Sequence, residues 1–199
     1  MSSDDLPNFM SLLQGGSWIA AIVGGALGFL KFTNELEQSR IQREEDLRWR
    51  KAQAGKSLND EMLEDKKANS ALIMLDWSGR EFTLDDGSKD NIKREDMLVA
   101  LRVRHTPPQK GFSTKEQFIR DAFDNLFYHL GRLEHSITSK LIEFEDIRYP
   151  IAYYVKELSE NRPVFEAYLR AYEFIHGLAF LQRFEAWVNS GTGNAAGSS

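Results

Sequence analysis

From Leu6 to Leu30 the chain runs 25 residues without a charged side chain, and the stretch that follows is among its most charged. As a helix, such a run reaches roughly 37 Å, against a hydrocarbon core of about 30 Å. It can be a cleaved leader, a buried core helix or a membrane span. A secretory leader opens on basic residues, but here Asp4 and Asp5 come first and no Lys or Arg precedes Lys31. A core helix needs apolar neighbours nearby in sequence, and the residues after Lys31 offer mainly charge. The better reading is a transmembrane helix over "GGSWIAAIVGGALGFLKF", residues 15–32, with an interfacial or weakly inserted helix as the alternative.

Its glycines weaken it as an anchor, since Gly15, Gly16, Gly24, Gly25 and Gly28 add little transfer energy. The flanks give it a direction. Lys31, Arg40, Arg43, Arg48, Arg50 and Lys51 all follow the run. The positive-inside rule then puts residues 1–14 outside and the residues beyond the span in the cytoplasm. Small residues recur every fourth position at Gly16, Ala20, Gly24 and Gly28, the last two forming a GxxxG. Such a ridge lets helix backbones approach closely in lipid. Membrane lipid and a second copy of the chain are therefore the expected partners of this segment.

Beyond the span, residues 33–75 contain one Gly and no Pro, with opposite charges such as Glu44 and Arg48 four apart. This predicts a long charged stalk helix. Its apolar stripe, Leu47, Ala54, Leu58 and Met62, thickens only toward its end. Residues 76–188 predict a cytoplasmic bundle of four or five helices, so the fold class is all-α. Gly79 and Gly87 break the stalk around a short strand near Phe82, and a shorter helix follows over 92–104. Ser113–Glu116 reads as a capping box for a helix whose buried face is Phe118, Ala122, Leu126, Leu130, Leu133 and Ile137, widened by Phe123 and Phe127. A helix starts at Pro150, and another runs from Pro163 to Val188, apolar over most of its circumference and so expected at the centre. Residues 189–199 read as a disordered tail.

Chemistry is sparse. The chain has no Cys, which removes thiolate nucleophiles and Cys-ligated metals. No HExxH, P-loop, GxSxG or GxGxxG is present, and no cofactor or metal is expected. The net charge of −5 argues against a nucleic-acid surface. Glu173 and His176 make a single ExxH, half of a di-iron pattern. Arg120 and Asp124, four apart, read as a surface ion pair. The acids of "IEFEDIRY", 142–149, read as a solvated loop.

Two resemblances bear on function. Arg170 and His176, in "RAYEFIH", resemble the Arg-x4-6-His pattern of HEPN helical-bundle ribonucleases, which implies catalytic roles for both on an RNA phosphate. Ala171 stands where a polar residue is common in that family. The layout as a whole, with its Gly-rich span, the neck "RWRKAQAGKSLNDEML" and then "LDWSGREF" before a helical domain, resembles small bacterial single-span membrane proteins. Some of these are antiphage membrane accessories with degenerate HEPN-like domains. That likeness implies a self-associating membrane protein whose cytoplasmic domain senses a trigger or binds a protein partner, more a non-enzyme than an enzyme. The alternatives are a membrane-tethered HEPN-like ribonuclease using Arg170 and His176, or a plain membrane scaffold.

Overall fold

The computed structural model describes residues 6–103 and 111–191, with side chains described at 31, 32, 35–103 and 111–191. The described elements, in order, are α1 (Leu6–Glu64), α2 (Lys66–Asp76), β1 (Gly79–Thr83), β2 (Lys89–Lys93), α3 (Arg94–Ala100), α4 (Thr114–Thr138), α5 (Phe144–Glu160), α6 (Arg162–Ala171) and α7 (Ile175–Asn189). The chain divides into two compact units, Met1–Trp49 and Arg50–Ser199.

The first unit is helical from Leu6 onward. Lys31–Glu35 (3.9 Å) and Arg40–Glu44 (3.8 Å) are ion pairs one turn apart, the pattern of a solvated helix. Phe32, Leu36, Ile41, Leu47 and Trp49 are exposed and spread round the helix among charged residues. The ridge of Gly16, Ala20, Gly24 and Gly28 lies outside the residues whose side chains are described. Among the described residues, no helix is long and apolar enough to cross a membrane.

The second unit begins at Arg50, so the bundle takes in the later part of the segment expected as stalk: Met62, Ala68, Ala71 and Leu72 are all core residues. The expected single helix to residue 75 is instead two. Asp65 leaves helical geometry at ψ 110°, and its carboxylate accepts the N–H groups of Lys67 (2.9 Å) and Ala68 (3.1 Å), starting α2 afresh. A short acidic side chain can compete with the backbone ladder in this way without any Gly or Pro nearby.

The strand expected near Phe82 is one arm of an antiparallel hairpin, with Gly79 opposite Lys93 and Thr83 opposite Lys89. Phe82 and Ile92 are its inward side chains. The second arm, "KDNIK", carries one apolar residue and so gives no period-2 signal. The fold is thus mostly helical with a two-stranded appendage.

Helix α4 starts at the predicted capping box, Ser113 Oγ accepting from the Glu116 N–H and Glu116 accepting from the Ser113 N–H. Phe118, Ala122, Leu126, Leu130, Leu133 and both flanking phenylalanines are buried, as the period required. It packs against both α2 and α7, so α4 holds the central place that the aromatic content of the last helix had suggested for that helix. Helix α5 begins six residues before Pro150, with Glu143 and Asp146 capping it, and breaks at Tyr149, as the residue before proline tends to.

The largest departure is at the other end. The single helix expected over 163–188 is α6 and α7, separated by a tight turn. Phe174 N–H reaches back to Leu169 O (2.9 Å) and Glu173 N–H to Arg170 O (3.5 Å), with Glu173 left-handed at φ 61°. These are the hydrogen bonds of a Schellman ending, which normally takes Gly at the left-handed position. Here the turn drops Phe174 onto Phe127, with ring centroids 5.8 Å apart, and that contact offsets the left-handed Glu.

Candidate functional site

The α6–α7 turn, the middle of α4 and Leu58 enclose a groove of about 470 Å³. Two glycines allow it. A Cβ on Gly177 would lie 3.0 Å from Phe127 O, and one on Gly131 would lie 3.4 Å from His176 Cβ. With no side chain at either position, the first turn of α7 lies close against α4 and carries His176 over Gly131.

The floor of the groove is apolar, from Leu58, Phe127 and Phe174. Tyr128 and Ile175 form an exposed rim at 60% and 64% of their full surface. The polar groups are His135, one turn beyond Gly131 on α4, with Ser136, Arg132, Glu173 and His176. Arg132 is held to Glu61 at 2.7 Å. Helix α7 opens without a side-chain cap and without an acid in its first turn. Its free N–H groups at Ile175, His176 and Gly177 therefore border the groove.

Of the sequence-derived site residues, His176 lines this groove and Arg170 does not. Both are exposed, but the break at 172–174 puts them on different helices. A hydrogen bond from Arg162 holds the Glu166 carboxyl below its ordinary range, and the charge of Arg170, at the end of α6, adds weakly in the same direction. Glu173 of the ExxH also lines the groove. Among the described residues, no cluster of three or more His, Asp or Glu side chains is arranged to hold a metal ion. Gly16, Ala20, Gly24 and Gly28, the expected association ridge, lie outside the described side chains.

A second polar cluster lies inside the bundle. Arg120, read from the sequence as half of a surface pair with Asp124, is 8% exposed. Its guanidinium lies 4.3 Å from the Phe112 ring, 4.9 Å from Tyr168 and 4.7 Å from Tyr172, and donates to Ala100 O at 2.9 Å. Asp124 instead accepts from the Tyr168 hydroxyl at 2.7 Å. Burial pushes the Asp124 carboxyl above its ordinary range, against the opposing pull of Tyr168 and Arg120. Burial and the Asp124 charge also push the Tyr168 phenol far up. This cluster is an internal tie between α3, α4 and α6. Sequence spacing missed it because the helix face of Arg120 is apolar only on average.

The chain matches no known protein family, no curated protein and no solved structure.

Proposed function

We propose that the chain is a self-associating single-span membrane protein, N-terminus outside, whose helical bundle is a cytoplasmic sensing or partner-binding module. One observation carries the reading. The charge-free run Leu6–Leu30, with Gly16, Ala20, Gly24 and Gly28 at every fourth position, lies within α1. A helix with such a small-residue ridge suits close association with copies of itself in lipid. Arg170 and His176 lie on different helices, which supports a sensing role over the ribonuclease alternative. A membrane scaffold alone leaves the groove without a purpose.

The test is assembly size in mild detergent and by cross-linking in native membranes. The protein is expected in the membrane fraction as an oligomer, and Gly24→Leu with Gly28→Leu is expected to reduce it to monomer while the bundle stays folded. A soluble monomer, or an oligomer indifferent to those two changes, sinks the reading.

A further inference from the structure

One end of the groove is polar in a way the bundle itself does not use. Ser136 is 8% exposed, lines the groove, and its Oγ has no hydrogen-bond partner among the described residues. That oxygen is not sealed from solvent, unlike the unpartnered Asn59 Oδ1 and Glu134 Oε2, so it opens onto the groove. His135 and His176 stand beside it, and neither imidazole has a hydrogen bond or ion pair among the described residues. The Gly131 position lies 3.4 Å from His176 Cβ and one helical turn from His135, which brings both rings to the same end. A hydroxyl and two imidazoles together suit hydrogen bonding to an anion with several oxygens.

The other end differs in kind. The exposed face of Tyr128 and the ring of Phe174 offer a stacking surface for a flat ring. Glu173 is a hydrogen-bond acceptor at the same groove and would repel a ligand that was anionic throughout. A ligand with hydroxyl or amino donors matches that acceptor. A volume of about 470 Å³ falls in the range that encloses a small organic ligand.

We propose that the groove between α4 and the α6–α7 turn binds a nucleoside monophosphate, with the base on Tyr128, hydroxyl or amino groups toward Glu173, and the phosphate among Ser136, His135 and His176. This rests on the reading of the bundle as a sensing module and names what it senses.

The experiment is calorimetric titration of the full-length protein in detergent with AMP, GMP, CMP and UMP, and with adenosine and inorganic phosphate as half-ligands. At least one monophosphate is expected to bind with a Kd below about 1 mM. Adenosine and phosphate alone are expected to bind at least about tenfold more weakly than that monophosphate. His176→Ala, His135→Ala and Ser136→Ala should each weaken binding by about tenfold with an unchanged circular dichroism spectrum. The proposal is overturned if no monophosphate binds, if phosphate alone binds as tightly, or if folded variants bind like the parent. Loss of binding with assembly intact removes this inference alone, whereas a monomeric parent protein removes the functional reading beneath it.

Discussion

His129 Nε2 lies 3.2 Å from Asp65 Oδ2, joining the helix break between α1 and α2 to the centre of α4 across 64 positions of sequence. Asp65 does two jobs there, since its other oxygen caps α2. Around this joint, Glu61 pairs with Arg132, and Lys67 bridges Asp121 (2.8 Å) and Asp85 (3.2 Å). The break is thus held to α4 by a row of polar contacts and not by apolar packing alone.

The first prediction concerns acid. Burial pushes the Asp65 carboxyl up, but the Ala68 N–H, His129 and the Lys67 N–H together pull it further down, so it ends below its ordinary value. A carboxyl lowered in the folded state stabilises the fold above its unfolded pKa, and that contribution is lost as pH falls through the folded value. Asp65→Ala should cost about 1–3 kcal/mol near neutral pH, from the lost cap and the partnerless His129. Urea unfolding of the two proteins should show that gap constant above about pH 5 and closing below about pH 4. A gap that persists unchanged at pH 3 would show that the carboxylate is not its source.

A second prediction concerns Gly55. A Cβ there would lie 2.9 Å from both Cβ and O of Asp146, so α1 and α5 cross where only a glycine fits. Alanine is the better helix former by about 1 kcal/mol, yet the clash involves backbone and cannot be relieved by a rotamer change. Gly55→Ala should therefore destabilise the bundle by about 1–3 kcal/mol in thermal or chemical unfolding. Gly111→Ala, with nothing within 4 Å, is the matched control and should be neutral. Equal effects at both sites would mean that backbone freedom, not contact, governs Gly55.

How much of this was legible in the sequence depends on what kind of signal each element carries. Helix α4 was readable to the residue at its start, because a capping box and a long period of apolar positions agree. The two missed breaks have a common cause. At Asp65 and at Glu173, helices end by side-chain and Schellman hydrogen bonds without the Gly or Pro that announces an ending. The groove follows from the second break, so it could not be seen while 163–188 was one helix. His176 was singled out for a spacing to Arg170, whereas its neighbours in the structure are Gly131 and, one turn on, His135. The only hint in the sequence was Gly131 and Gly177, each small within an otherwise large-residue helix.

Arg120 yields a third prediction. Methionine keeps much of its length and fills the space between Phe112, Tyr168 and Tyr172, but it leaves Ala100 O, fully buried, without the donor at 2.9 Å. An unpaired buried carbonyl costs about 1–3 kcal/mol, and the lost cation–π contacts add about 1–2 kcal/mol. Arg120→Met should thus lower the unfolding free energy by about 2–5 kcal/mol, with a further rise of the Asp124 carboxyl now that an opposing cation is gone. Denaturant unfolding measures the first, and carbon NMR titration of the Asp124 carboxyl the second. A near-neutral Arg120→Met would mean that the rings, not the charge, hold α3 to α4.

The last prediction uses the two left-handed residues. Lys140 (φ 60°) ends α4 with the same pair of hydrogen bonds that Glu173 (φ 61°) uses at α6: Leu141 N–H to Ser136 O at 2.9 Å and Lys140 N–H to Ile137 O at 3.0 Å. A side chain in that region costs about 1–2 kcal/mol, part of which glycine returns as greater freedom in the unfolded chain. Lys140→Gly and Glu173→Gly should each stabilise the protein by about 0.5–1 kcal/mol, and additively, because they sit in separate turns. The two should part company in binding. Glu173→Gly removes the groove's acceptor and should weaken the nucleoside monophosphate, while Lys140→Gly, outside that groove, should leave binding as it was. A glycine that stabilises at 140 but destabilises at 173 would show that the Glu173 side chain is itself holding the turn.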